Sequence, residues 1–151
     1  MEETRSGARE TAMKILYQIS ILEKAEASYD LDEIFSKVEG RNKEFIESIV
    51  NEVILKKEEL DKKANTYLIN WEVNRLNKVD QAIFEIAVYE LLYTDTPKKV
   101  VIDEAINLSK KYSEDAVVKM LNGVLDKIYH EEDKDAEWVS NCQSVNKIYQ
   151  I

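Results

Sequence analysis

The chain has few of the residues that break or staple a fold. Its 151 residues include one cysteine, one proline, three glycines and one histidine. With Cys142 alone no internal disulfide can form, and a reducing compartment is the simplest setting. So few turn residues argue against a sheet protein. No apolar run approaches the ~18 residues that a membrane-spanning helix needs. The charged start Met1-Glu2-Glu3-Thr4-Arg5 has no apolar segment behind it, so no targeting peptide is predicted and a cytoplasmic protein is expected.

Catalytic equipment is missing as well. His130 and Cys142 stand alone, with no paired ligand spacing and no carboxylate constellation around them. There is no Gly-rich phosphate loop, no GxSxG and no HExxH. The expectation is a binding protein, not an enzyme, with neither metal nor cofactor. Thirty acidic against 21 basic residues leave a net charge of −9. Nonspecific nucleic-acid affinity comes mainly from Lys and Arg on phosphate, so free-standing nucleic-acid binding is disfavoured. A chain this acidic binds RNA only through a local basic or stacking surface, with help from a basic partner.

What is present is apolar sequence at helical spacing. Ala8, Ala12, Ile15, Leu16, Ile19 and Leu22 form one stripe and predict a helix from about Thr4 to Glu23. A short helix follows, about Leu31 to Val38, ended by Gly40. Phe45, Ile46, Ile49, Val50, Val53 and Ile54 predict a helix over Asn42 to Leu55, and Leu60, Ala64, Tyr67 and Leu68 a further one, with Trp71 in the connection behind it. Asn77 reads as an N-cap with Asp80 in the capping-box position. The helix behind it, to about Tyr93, is apolar nearly all round and therefore central. Glu90 lies in that run, where an unpaired carboxylate is costly, so a buried hydrogen bond is expected. Pro97 suits the first turn of the next helix, to about Tyr112, and Ser113 is placed to cap a last core helix carrying Val117, Leu121, Val124, Leu125 and Ile128. Together these predict an all-α fold, with one domain over residues 1–130. A tail over 131–151 returns to a helical period at Trp138, Val139, Cys142, Val145 and Tyr149, fitting a short amphipathic helix that docks on the body or a partner.

Leu76-Asn77-Lys78-Val79-Asp80-Gln81-Ala82-Ile83-Phe84-Glu85-Ile86-Ala87-Val88-Tyr89-Glu90-Leu91-Leu92-Tyr93 is followed by Pro97, by Val101-Ile102-Asp103-Glu104-Ala105-Ile106 and by Asn122-Gly123-Val124-Leu125-Asp126-Lys127-Ile128. With Ala8-Arg9-Glu10, Leu16-Tyr17-Gln18, Leu60-Asp61 and Tyr67-Leu68-Ile69-Asn70-Trp71, this order resembles the NusB family of transcription antitermination factors over roughly residues 5 to 129. The resemblance implies a compact NusB-type bundle of about seven helices plus the tail helix. It implies binding of boxA RNA together with ribosomal protein NusE, within an RNA polymerase complex that supports ribosomal RNA transcription, and no cofactor. It places Arg5, Arg9, Tyr17, Tyr67, Asp115, Lys119 and Met120 on the RNA side and Asp80 near the NusE side.

Arg5 and Arg9 are four residues apart and share a helix face, suiting successive phosphates, and the tyrosines suit base stacking. Ser6 and Gly7 stand where the family is usually arginine-rich. Counting back from Asn122-Gly123 without gaps, the family's acidic or amide residue falls on Ala116, one position from Asp115, and its aromatic on Met120. A NusB-fold protein-interaction module with weak or lost RNA binding is the alternative. The chain is too short to carry the methyltransferase to which some NusB-like domains are fused, and it lacks that enzyme's Gly-rich turn. Gly123 is expected to permit close helix packing. Monomer and homodimer both stay open, as does a tail that covers the binding groove.

Overall fold

The structure, a computed structural model, describes residues 4–131. The helical tail expected over 131–151, and Cys142 with it, lies almost wholly outside the described residues. Within them every regular element is a helix: α1 (Arg5–Lys24), α2 (Leu31–Ser36), α3 (Lys43–Tyr67), a 3-10 turn (Val73–Arg75), α4 (Lys78–Tyr93), α5 (Lys98–Tyr112) and α6 (residues 115–131).

Local chemistry sets most of these bounds. The Thr4 hydroxyl accepts the Gly7 N–H at 3.0 Å and caps α1. Asp30 caps α2, and Gly40 beyond it has φ 104°, a conformation that other residues adopt only with strain. Asn77 accepts the Asp80 N–H at 2.8 Å and opens α4. Pro97 stands at the N-cap of α5, one residue ahead of the first-turn position expected for it.

The two helices expected between Asn42 and Leu68 are one continuous α3. The polar stretch Lys56-Lys57-Glu58-Glu59, which reads as a break, is built of strong helix formers. It is braced by ion pairs one turn apart, Lys56–Glu52 and Lys57–Asp61, both at 2.8 Å. Ser113 does not cap α6 either. It closes α5, and its hydroxyl donates to the Asp80 carboxylate, so the chain turns the corner on a side chain from α4. Gly123 is exposed and has open space where a Cβ would stand, so the close packing expected there is absent.

α4 is the hub. Every residue from Asp80 to Leu91 is buried. It packs against α1, α3 and α5, and Leu121, Val124, Leu125 and Ile128 of α6 join the same core. Within that core lies one bidentate ion pair. Arg9 Nε donates to Glu90 Oε1 at 2.7 Å and its second nitrogen to Oε2 at 2.9 Å, with Arg9 7% and Glu90 1% exposed. This is the buried hydrogen bond expected at Glu90, and it ties α1 to α4. Burial pulls the Arg9 pKa down, but the hydrogen bonds and charge of Glu90, helped by Glu104, outweigh it and raise it.

Removing one partner strands the other charge in the core. Arg9→Met or Glu90→Leu should each cost about 3–5 kcal/mol in urea unfolding. The double variant R9M/E90L should cost less than either single change. A double variant whose loss equals the sum of the two would show that the groups are not coupled.

Candidate nucleic-acid interface

The first two turns of α1 decide what the chain offers to an anion. Arg5 is exposed at the start of the helix, and its guanidinium carbon lies 4.0 Å from the centroid of the Phe45 ring of α3. Arg9, one turn on, lies 5.4 Å from the same ring, with its fork spent on Glu90. The expected pair of phosphate contacts is thereby divided. Arg5 faces solvent while Arg9 is held inside by both carboxylate oxygens of Glu90 on the central helix. Ser6 donates to Glu104 at 2.5 Å, which draws the first turn against α5.

Glu10, whose charge would repel RNA beside Arg5, is engaged by α5. It accepts from Lys111 at 2.8 Å and from the Tyr112 hydroxyl, and these two bonds hold its carboxyl below the usual range.

Farther along α1, Tyr17 is 41% exposed and lines an open groove of about 820 Å³ between α1, α3 and α4. Ile21, Lys24, Ile54, Lys57 and Glu85 line it too. The lining contains neither Tyr67, Asp115, Lys119 nor Met120. Tyr67 ends α3, partly buried against the core. Asp115, Ala116 and Lys119 are exposed on α6, and Met120 is partly buried against the core. Asp80 is 3% exposed with its carboxylate bound by Ser113, so it presents no free acid to a partner. It is not the reciprocal member of a capping box, since its side chain points to the α5–α6 corner. Burial raises its pKa, the Ser113 bond lowers it, and Glu114 raises it again.

One cluster escaped the sequence reading. At the edge of the groove Lys57 donates to Asp61 at 2.8 Å and to Glu85 at 2.9 Å. Glu85 is buried, and its pKa is pushed up to about 8, first by burial and then by the neighbouring Asp61, against the opposing pull of Lys57. Lys57 is raised in turn, as its two carboxylate partners overcome the effect of burial. The signal was available: Glu85 interrupts an apolar run just as Glu90 does. The sequence gives Phe45 only a place in the apolar pattern of α3, and its contact with Arg5 needs the packing of α1 on α3 to be seen. Among the described residues there is no cluster of metal-ligating side chains and no helix long and apolar enough to cross a membrane. His130 contacts Asp126 one turn back at 3.4 Å.

A carboxyl with a folded pKa above its unfolded value stabilises at low pH and loses that contribution as pH rises through the folded value. The parent should therefore lose stability relative to Glu85→Gln between about pH 4.5 and pH 8. Thermal unfolding of the two chains at pH 5 and pH 9 checks this. A constant difference between them across that range would contradict it.

The NusB family profile matches residues 6–130. The transcription antitermination protein NusB of Macrococcus caseolyticus is 44% identical over 126 residues, 83% of this chain and 95% of that protein. Among solved structures, T. maritima NusB superposes with a TM-score of 0.75 at 31% identity, covering 87% of this chain and 94% of the other. The NusB of a crystal structure of antitermination factors NusB and NusE with dsRNA gives a TM-score of 0.69 at 26% identity, over 84% and 96% of the two chains. A profile match that spans α1 through α6 and relatives matched over nearly their full length lead to one conclusion: the chain belongs to the NusB family.

Proposed function

We propose that the chain is a transcription antitermination factor that binds boxA-type RNA together with ribosomal protein NusE, and acts in an RNA polymerase complex that supports ribosomal RNA transcription. The observation that carries this is the length-wide relationship to NusB proteins, one of them solved with NusE and dsRNA. The chain acts by binding and not by catalysis. Arg5 contacts phosphate, while Tyr17, Tyr67, Asp115, Lys119 and Met120 complete the RNA side. Arg9 and Asp80, both buried, serve by fixing helices and not by contact.

One observation favours a second reading. With Arg9 committed to Glu90 and a net charge of −9, the first two turns of α1 present one guanidinium, that of Arg5, with no carboxylate partner among the described residues. That suits a module with weak RNA binding that works through protein contacts, and it makes NusE the source of most of the affinity.

A gel-shift titration with boxA-type RNA, with and without NusE, at two salt concentrations separates the two. Binding that is weak alone, tight with NusE and weakened by salt is expected. Tyr17→Ala should cost about 1–3 kcal/mol of RNA affinity if a base stacks there, with Tyr17→Phe close to the parent. No RNA binding in either condition would overturn the proposal and leave the protein-only module.

A further inference from the structure

We propose that Phe45 is a positioning residue of the RNA site, holding the Arg5 guanidinium in one orientation from which it bonds a phosphodiester. This rests on the reading above. Arginine side chains lose substantial rotamer freedom when they bind, and an arginine at a helix terminus in water is normally free to sweep. Arg5 is not free in this way. Its guanidinium carbon is 4.0 Å from the Phe45 centroid, the approach of a guanidinium laid on an aromatic face. A face contact uses the charge and the π surface, and leaves the N–H fork for an anion. Among the described residues no carboxylate pairs with Arg5, so that fork is not already spent within them.

The ring is itself held. Phe45 is partly buried against the core, and Arg9 stands 5.4 Å from its centroid while clamped by both oxygens of Glu90. The order of support runs from Glu90 on the central helix through Arg9 and Phe45 to Arg5 at the surface. The buried arginine thus serves the site without touching RNA. In a chain so acidic, one guanidinium contributes more if its orientation is settled before RNA arrives.

The test uses the full chain with NusE and boxA-type RNA. Phe45→Met, which keeps volume and helix propensity, should weaken RNA binding roughly two- to fivefold with the salt dependence unchanged, because the charge remains. Phe45→Tyr keeps the aromatic face and should bind as the parent. Arg5→Ala should weaken binding and lower the slope of log affinity against log salt by about 0.7, and adding Phe45→Met to it should change nothing further. The proton NMR spectrum of the free chain gives a readout independent of RNA: ring current should shift the Arg5 side-chain protons upfield, and Phe45→Met should abolish the shift. Absence of that shift in the parent, or an equal cost of Phe45→Met with and without Arg5, would overturn the role of Phe45 while leaving the function standing. A parent that binds no RNA even with NusE would overturn both.

Discussion

A guanidinium and a carboxylate buried side by side in an apolar core are tolerable only as a pair. Arg9 and Glu90 meet that condition with two hydrogen bonds in the fork geometry that arginine favours, at 2.7 and 2.9 Å. The consequence extends past the pair. α4 is the helix on which α1, α3 and α5 all pack, and Glu90 lies near its C-terminal end. Fixing Arg9 there sets the rotation of α1 about its own axis. That rotation decides that Ala8, Ala12, Met13 and Ile19 face the core while Arg5 and Tyr17 face solvent. The outward face of α1 is therefore a product of an inward contact.

The acidic character of the chain is managed in the same way, by local pairing. Glu10 is bound by Lys111 and Tyr112, Glu104 by Ser6 with Arg9 nearby, and Glu85 and Asp61 share Lys57. Two of these arrangements lie beside the candidate RNA surface on α1. They reduce the repulsion that Glu10 and Glu104 would otherwise exert on a phosphate near Arg5. Glu85 borders the groove that holds Tyr17, so its protonation couples the charge of that groove to pH in a range where ordinary carboxylates do not titrate.

Much of the fold was legible in the sequence because helical periodicity and caps are local. α1, α4 and α5 end within a residue or two of where their apolar stripes, Asn77 and Pro97 place them. The failures are also physical. A run of lysines and glutamates in α3 resembles a linker by polarity but is helix-favouring by propensity, and propensity with i,i+4 pairing prevailed. By position in the sequence Ser113 and Asp80 each suit a local cap, yet their side chains bond each other across 33 positions. Of the candidate site, the family pattern points to a helix but not to the direction of its side chains. The spacing of Arg5 and Arg9 puts both on one face, but no sequence rule says that a glutamate 81 residues away claims the second. Phe45 and the Lys57 cluster depend in the same way on contacts between helices.

The burial of Arg9 can be read directly from side-chain hydrogen exchange. In an NMR measurement on the free chain, the Arg9 Nε–H should exchange with water far more slowly than the Arg5 Nε–H, and Glu90→Gln should narrow the gap. Equal, fast exchange at both arginines in the parent would mean that Arg9 is at the surface and that α1 is not held to α4 by this pair.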